Sequence, residues 1–121
     1  MDRFKFRVWD SSANAYVPRS QFILLSDGTL IQEIGGEEVI WESTQPEFCT
    51  GIKDKNGKLI YEGDELKDWK NNNFVIAFDE EYAQFVAKDE RGWVSPIERD
   101  ILDDCEIIGN IHTNPDLLGA E

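Results

Sequence analysis

Histidine and cysteine are scarce in this 121-residue chain, and basic residues are scarce beside acidic ones. Twelve Lys and Arg stand against 25 Asp and Glu, a formal net charge of −13. The deficit is uneven: residues 1–60 hold seven basic and nine acidic side chains, whereas residues 61–121 hold five and sixteen, a net of −11. Non-specific nucleic-acid binding needs Lys and Arg to displace condensed counterions. The C-terminal half is therefore excluded from that role, and its acidity suits solubility or the steering of basic partners. The single histidine, His112, leaves imidazole catalysis one candidate, which reads as a partly exposed residue at the end of the last strand. The serines at 11, 12, 20, 26, 43 and 95 stand in no nucleophile-elbow context. The two cysteines, Cys49 and Cys105, have no C-x-x-C spacing and read as small buried hydrophobes in a reducing compartment.

Long apolar runs are also missing. The longest strongly apolar stretch is Phe74–Phe78, far short of the ~20 residues a spanning helix needs. At the start, charges interrupt every second apolar residue from Phe4 to Arg7, so no signal-peptide core forms. A cytoplasmic location is expected. What is present is bulk: 40% apolar residues with seven Phe, four Trp and three Tyr suffice for one packed domain or a small domain with an extra subdomain.

The patterning is β. Phe4, Phe6 and Val8 alternate with Lys5, Arg7 and Trp9, a half-buried strand over 4–9. A polar turn at Asp10–Asn14 lets Tyr16-Val17 pair back, and Pro18 ends the hairpin. Short apolar pieces at 21–25, 29–31 and 39–41 are separated by Ser26-Asp27-Gly28 and Gly35-Gly36. Asn56-Gly57 and Gly63-Asp64 mark two further reversals. Five β-type pieces follow at 65–69, 74–79, 82–88, 93–95 and 105–111, with three tight links and one longer polar one. That count suits a small closed or nearly closed barrel, whose closure accounts for the failure of 74–78 to alternate. Asn114-Pro115 then predicts a final helical turn.

Each apparent chemical motif has a simpler reading. Asp54-Lys55-Asn56-Gly57 resembles the middle of a calcium loop, but the first ligand position would be Ile52 and the closing one Gly63, so it reads as a hairpin turn. Cys49, Cys105 and His112 lack the paired spacing and the fourth ligand of a structural zinc site. Asp79-Glu80-Glu81 and Asp103-Asp104 read as solvated acids. Gly35-Gly36 leads into Glu37-Glu38, which would repel a phosphate. Arg3, Lys5 and Arg7 on one strand face beside Trp9 are the one basic feature, a weak nucleic-acid footprint better suited to neutralising acidic groups.

Three blocks resemble the YopX family of small phage and prophage proteins of bacteria. They are Phe4-Lys5-Phe6-Arg7-Val8-Trp9-Asp10, the stretch from Thr50 to Asp64 (TGIKDKNGKLIYEGD), and that from Ile107 to Leu118 (IIGNIHTNPDLL). The last departs from the family pattern at His112-Thr113, where Tyr-Glu is common. The resemblance implies a C-terminal SH3-like small β-barrel after a β-rich N-terminal region, and a bacterial host cytoplasm. It carries no site residues across.

The expectation is thus a mainly β protein, with a β-rich N-terminal region at 1–48 and an SH3-like barrel at 49–121. It is expected to be a non-enzymatic interaction module for a host or phage protein. The alternative is a nucleic-acid-related accessory, either a weak binder through the basic N-terminal strand or an acidic DNA mimic. No catalytic, metal or cofactor residue is nominated, and homo-oligomerisation through an edge strand is allowed.

Overall fold

The computed structural model describes residues 2–18, 22–42 and 44–113, and it is mainly β. The chain divides into two compact units, Phe6–Glu47 and Met1–Lys5 with Phe48–Glu121, so the N-terminal residues through Lys5 group with the C-terminal unit. The expected helical turn from Asn114 and the serines at 20 and 43 lie outside the described residues. No helix among the described residues is long and apolar enough to cross a membrane.

In the Phe6–Glu47 unit the first strand is shorter than its alternation predicts. A 3₁₀ turn occupies Asp2–Phe4, and the strand splits into β1 (Phe6–Arg7) and β2 (Trp9–Asp10). Phe4 is accordingly exposed while Val8 is buried. β2 pairs with β3 (Ala15–Tyr16) through Trp9↔Tyr16, closed by an Asp10 turn whose Oδ1 accepts the amides of Ser12 and Ala13. A three-stranded antiparallel meander follows: β4 (Phe22–Leu24), β5 (Leu30–Ile34) and β6 (Glu37–Ile40). Gly35 and Gly36 turn β5 into β6 with φ of 58° and 87°, the paired positive φ that a two-residue hairpin turn needs. Leu30 is buried, and Phe22 stacks edge-on against both Phe6 and Trp41.

The C-terminal unit contains a hairpin and a sheet. β7 (Glu47–Lys53, its first residue in the other unit) pairs with β8 (Leu59–Tyr61) across an irregularity at Gly51, φ 82°. β9 (Asp64–Lys67), β10 (Asn73–Asp79), β11 (Gln84–Asp89), β12 (Val94–Pro96) and β13 (Glu106–Asn110) form a five-stranded antiparallel sheet in the order β12-β11-β10-β9-β13. The longer polar link between β12 and β13 contains a four-residue helix, α1 (Arg99–Leu102), too short to leave a periodic signal in the sequence. Ile52, Ile60, Leu66, Ile76, Leu102 and Cys105 make the core, drawing the hairpin, sheet and α1 into one packed body. Val75 and Ile76 are neighbours on one strand and both buried, so both faces of β10 are covered there. Phe78, nearer the end of the same strand, is exposed on one edge and stacks on Phe85.

Three of the turns share one construction. Asp54, Asp68 and Asp89 each accept two backbone amides on Oδ1, from the residues two and four positions ahead. The residue three positions ahead has positive φ in each: Gly57 83°, Asn71 67° and Gly92 88°. Asp54 does more than its counterparts. Its Oδ2 also accepts the amide of Ile107 at 3.1 Å, and Lys55 N–H donates to the Cys105 carbonyl, so this turn joins the β7–β8 hairpin to β13.

Candidate apolar cleft at one end of the sheet

Successive hairpins place alternate turns at the same end of a meander. The β9–β10 turn (68–72) and the β11–β12 turn (89–93) therefore share one end, as the register Asn73↔Lys67 and Phe74↔Asp89 requires. Each turn carries a tryptophan that the local backbone cannot bury. Trp69 is 75% exposed and Trp93 is 70% exposed. Lys70 reaches back over the Trp69 ring at 4.9 Å. Two large apolar side chains exposed at the same end of a sheet are a feature that interaction surfaces use.

Beside Trp93 lies a cleft of about 220 Å³, bounded by Phe74 and Ala87 on the sheet, Pro96 on β12, and Ile101 and Leu102 on α1. Leu102 is buried and anchors the helix in the core, which leaves Ile101, the preceding residue, 51% exposed at the mouth. The walls are apolar, while Asp89 and Glu98 stand at the rim. Small-molecule sites usually run ~300–1,000 Å³. This one is below that range and has the size of a socket for one bulky side chain. Glu98 is the N-cap of α1 but makes no side-chain capping bond, so its carboxylate is not committed to the helix. Adjoining the cleft through Asp89 is a polar hollow of about 460 Å³ bounded by Asn72, Asn73, Glu90 and Arg91.

A family model described as YopX protein matches residues 5–119. The chain belongs to the YopX family. The crystal structure of protein EF1440 from Enterococcus faecalis resembles it with a TM-score of 0.62 at 26% identity, covering 94% of this chain and 96% of that one. No curated protein matches.

Within this YopX-family chain, the residues singled out in the sequence are placed as follows. Arg7 is not a free cation: its Nε donates to Glu47 Oε1 at 2.8 Å, the same oxygen accepts the Tyr16 hydroxyl, and the guanidinium lies 4.3 Å from the Tyr16 ring centroid. Trp9 stacks edge-on against that ring at 4.9 Å. Lys5 belongs to the other unit and pairs with Asp2 at 3.1 Å, and the Arg3 side chain lies outside what is described. Lys5 and Arg7 thus each face a different acidic partner, Asp2 and Glu47.

Both cysteines are free and fully buried. Burial pushes both thiols up, Cys105 to about 11, where the nearby charges of Asp68 and Asp104 add to the effect. His112 sits in the turn after β13, its backbone amide donating to Asn110 Oδ1. No group of three or more His, Cys, Asp or Glu able to hold a metal occurs among the described residues. At Asp54 burial disfavours the charged form, yet the amides of Lys58, Ile107 and Asn56 outweigh it and hold the carboxyl below the usual range. The calcium-loop likeness is therefore a turn whose carboxylate oxygens already serve three amides. The cleft and its tryptophans were not singled out by sequence reasoning. The sequence pattern puts Trp69 and Trp93 at the ends of β-type pieces 65–69 and 93–95, whereas the structure places both in the turns beside those strands.

Proposed function

We propose that this protein is a non-enzymatic interaction module that binds a protein partner at the Trp69–Trp93 end of its C-terminal unit. In this reading the hairpin and five-stranded sheet form an SH3-like small barrel, with Asp54 as the tie between the two. The observation that carries the proposal is an exposed tryptophan, Trp93, lining an apolar socket on a well-packed sheet, with a second exposed tryptophan, Trp69, on the other turn at that end. Aromatic anchors with a pocket beside them and a polar rim are how protein interfaces concentrate their binding energy. The partner, in this reading, is a host or phage protein met in a bacterial cytoplasm.

The test is photo-crosslinking from the cleft inside bacterial cells. With benzoylphenylalanine in place of Trp93, one discrete protein adduct is expected, and Ile101→Glu in the same chain should remove it. A crosslinker at exposed Tyr82, in the β10–β11 turn, should not give the same adduct. Identical adducts from positions 82 and 93, or none from 93, would count against the proposal.

A further inference from the structure

The cleft and the polar hollow differ in chemistry but touch at Asp89, and together they say what kind of partner fits. The cleft has the volume and the apolar lining to suit one apolar side chain. Its rim and the adjoining hollow present Asp89, Glu90 and Glu98, and Asp100 follows on the first turn of α1. Opposed to these are Arg91 and Arg99, so the stretch from Asp89 to Asp100 keeps a negative balance within a half-chain of net −11. The Oδ1 of Asp89 is occupied by two turn amides, and Glu98 has no capping bond. Asn73 lines the hollow, and its Oδ1 is a buried acceptor with no hydrogen-bond partner among the described residues. An acceptor of this kind favours an incoming donor, and the guanidinium of arginine supplies several.

From this we infer that the cleft and hollow together recognise an extended segment of a partner protein in which a bulky apolar residue is followed by arginine or lysine. The inference rests on the reading of this end of the sheet as a protein-binding surface. The apolar side chain enters beside Trp93 and Ile101, and the cation lies over Asp89 towards Asn73. Opposite charges at such a rim mainly set specificity and association rate.

The test titrates the full ¹⁵N-labelled chain with three acetylated, amidated hexapeptides: Gly-Ser-Leu-Arg-Ser-Gly, Gly-Ser-Leu-Glu-Ser-Gly and Gly-Ser-Ser-Arg-Ser-Gly. The Leu-Arg peptide should shift the Trp93 indole signal and the amides of Phe74, Ala87 and Ile101. It should bind about tenfold more tightly than either control, with the gap between Leu-Arg and Leu-Glu narrowing as salt is raised. Glu98→Gln should weaken Leu-Arg several-fold without changing the thermal midpoint, and Arg91→Ala should tighten it. Equal binding of Leu-Arg and Leu-Glu overturns the inference, as does an absence of shifts, or a single-stranded oligonucleotide moving the same signals. A peptide result of that kind with crosslinks from position 93 intact rejects the basic partner but leaves the protein-docking proposal standing. Loss of the crosslinks as well rejects both.

Discussion

Asp54→Asn is the sharpest structural perturbation available. The asparagine keeps Oδ1 for the amides of Asn56 and Lys58, but its amide group faces the N–H of Ile107 with another donor. One charge-assisted bond, worth about 1.5–3 kcal/mol, disappears, and the half-buried Ile107 N–H on β13 is left without its acceptor, at a further cost of about 1 kcal/mol. Allowing for relaxation, the loss should be about 3 kcal/mol at pH 7, or roughly 10 °C in the thermal midpoint for a chain of this size. Asp89→Asn provides the control, since the same turn geometry there has only its two local amides and should lose under about 1 kcal/mol. Urea unfolding gives the free energies, and hydrogen exchange at Ile107 locates the effect. The pH dependence follows from the lowered carboxyl pKa of Asp54. A group whose folded pKa lies below its unfolded value, ~3.9, contributes fully above that value and loses its contribution as pH falls through the folded pKa. The gap between the parent chain and Asp54→Asn should therefore close below about pH 4. A loss at pH 7 no larger than that of Asp89→Asn would refute the reasoning.

Other outcomes follow from the core and the thiols. Leu102→Ala removes the fully buried anchor of α1 and should cost about 2–5 kcal/mol in urea unfolding. It should also weaken any ligand at the cleft, because Ile101 loses its fixed position. Gly57→Ala meets open space but needs a positive φ of 83°, so a loss of about 1–2 kcal/mol is expected from backbone conformation alone. Cys105, at about 11, is only roughly one part in ten thousand thiolate at pH 7, and both thiols are enclosed. A thiol reagent should titrate neither in the native protein and both in urea.

The β class was legible because alternation and turn residues are local signals. Asn56-Gly57 marked a reversal where Gly57 does take positive φ, and Gly35-Gly36 marked the β5–β6 turn. The burial of Cys49 and Cys105 matches the reading of two unpaired cysteines, with no C-x-x-C spacing, as small hydrophobes. Other features depend on tertiary partners and were not legible. The late start of the first strand, at Phe6, follows from the 3₁₀ turn that Asp2 and Lys5 close by hydrogen bond and ion pair. The third contact of Asp54 joins residues 53 positions apart, so no window of sequence contains it. Arg7 looked like one of three members of a basic patch because Glu47, which takes its charge, lies 40 positions away. The cleft required α1, whose four residues give no period, to bring Ile101 over the same side as Trp93.

The central claim is that a partner engages this end of the C-terminal sheet, and the chain's four tryptophans offer a direct reading of it. Trp69 and Trp93 report on the two turns, and Trp9 and Trp41 are half-buried in the Phe6–Glu47 unit. With 5-fluorotryptophan in all four positions and each line assigned by a Trp→Phe variant, the crosslink-identified partner is purified and added. Displacement of the Trp93 line, accompanied by that of Trp69, with Trp9 and Trp41 unmoved, is the expected result. Movement confined to Trp9 or Trp41 contradicts the account.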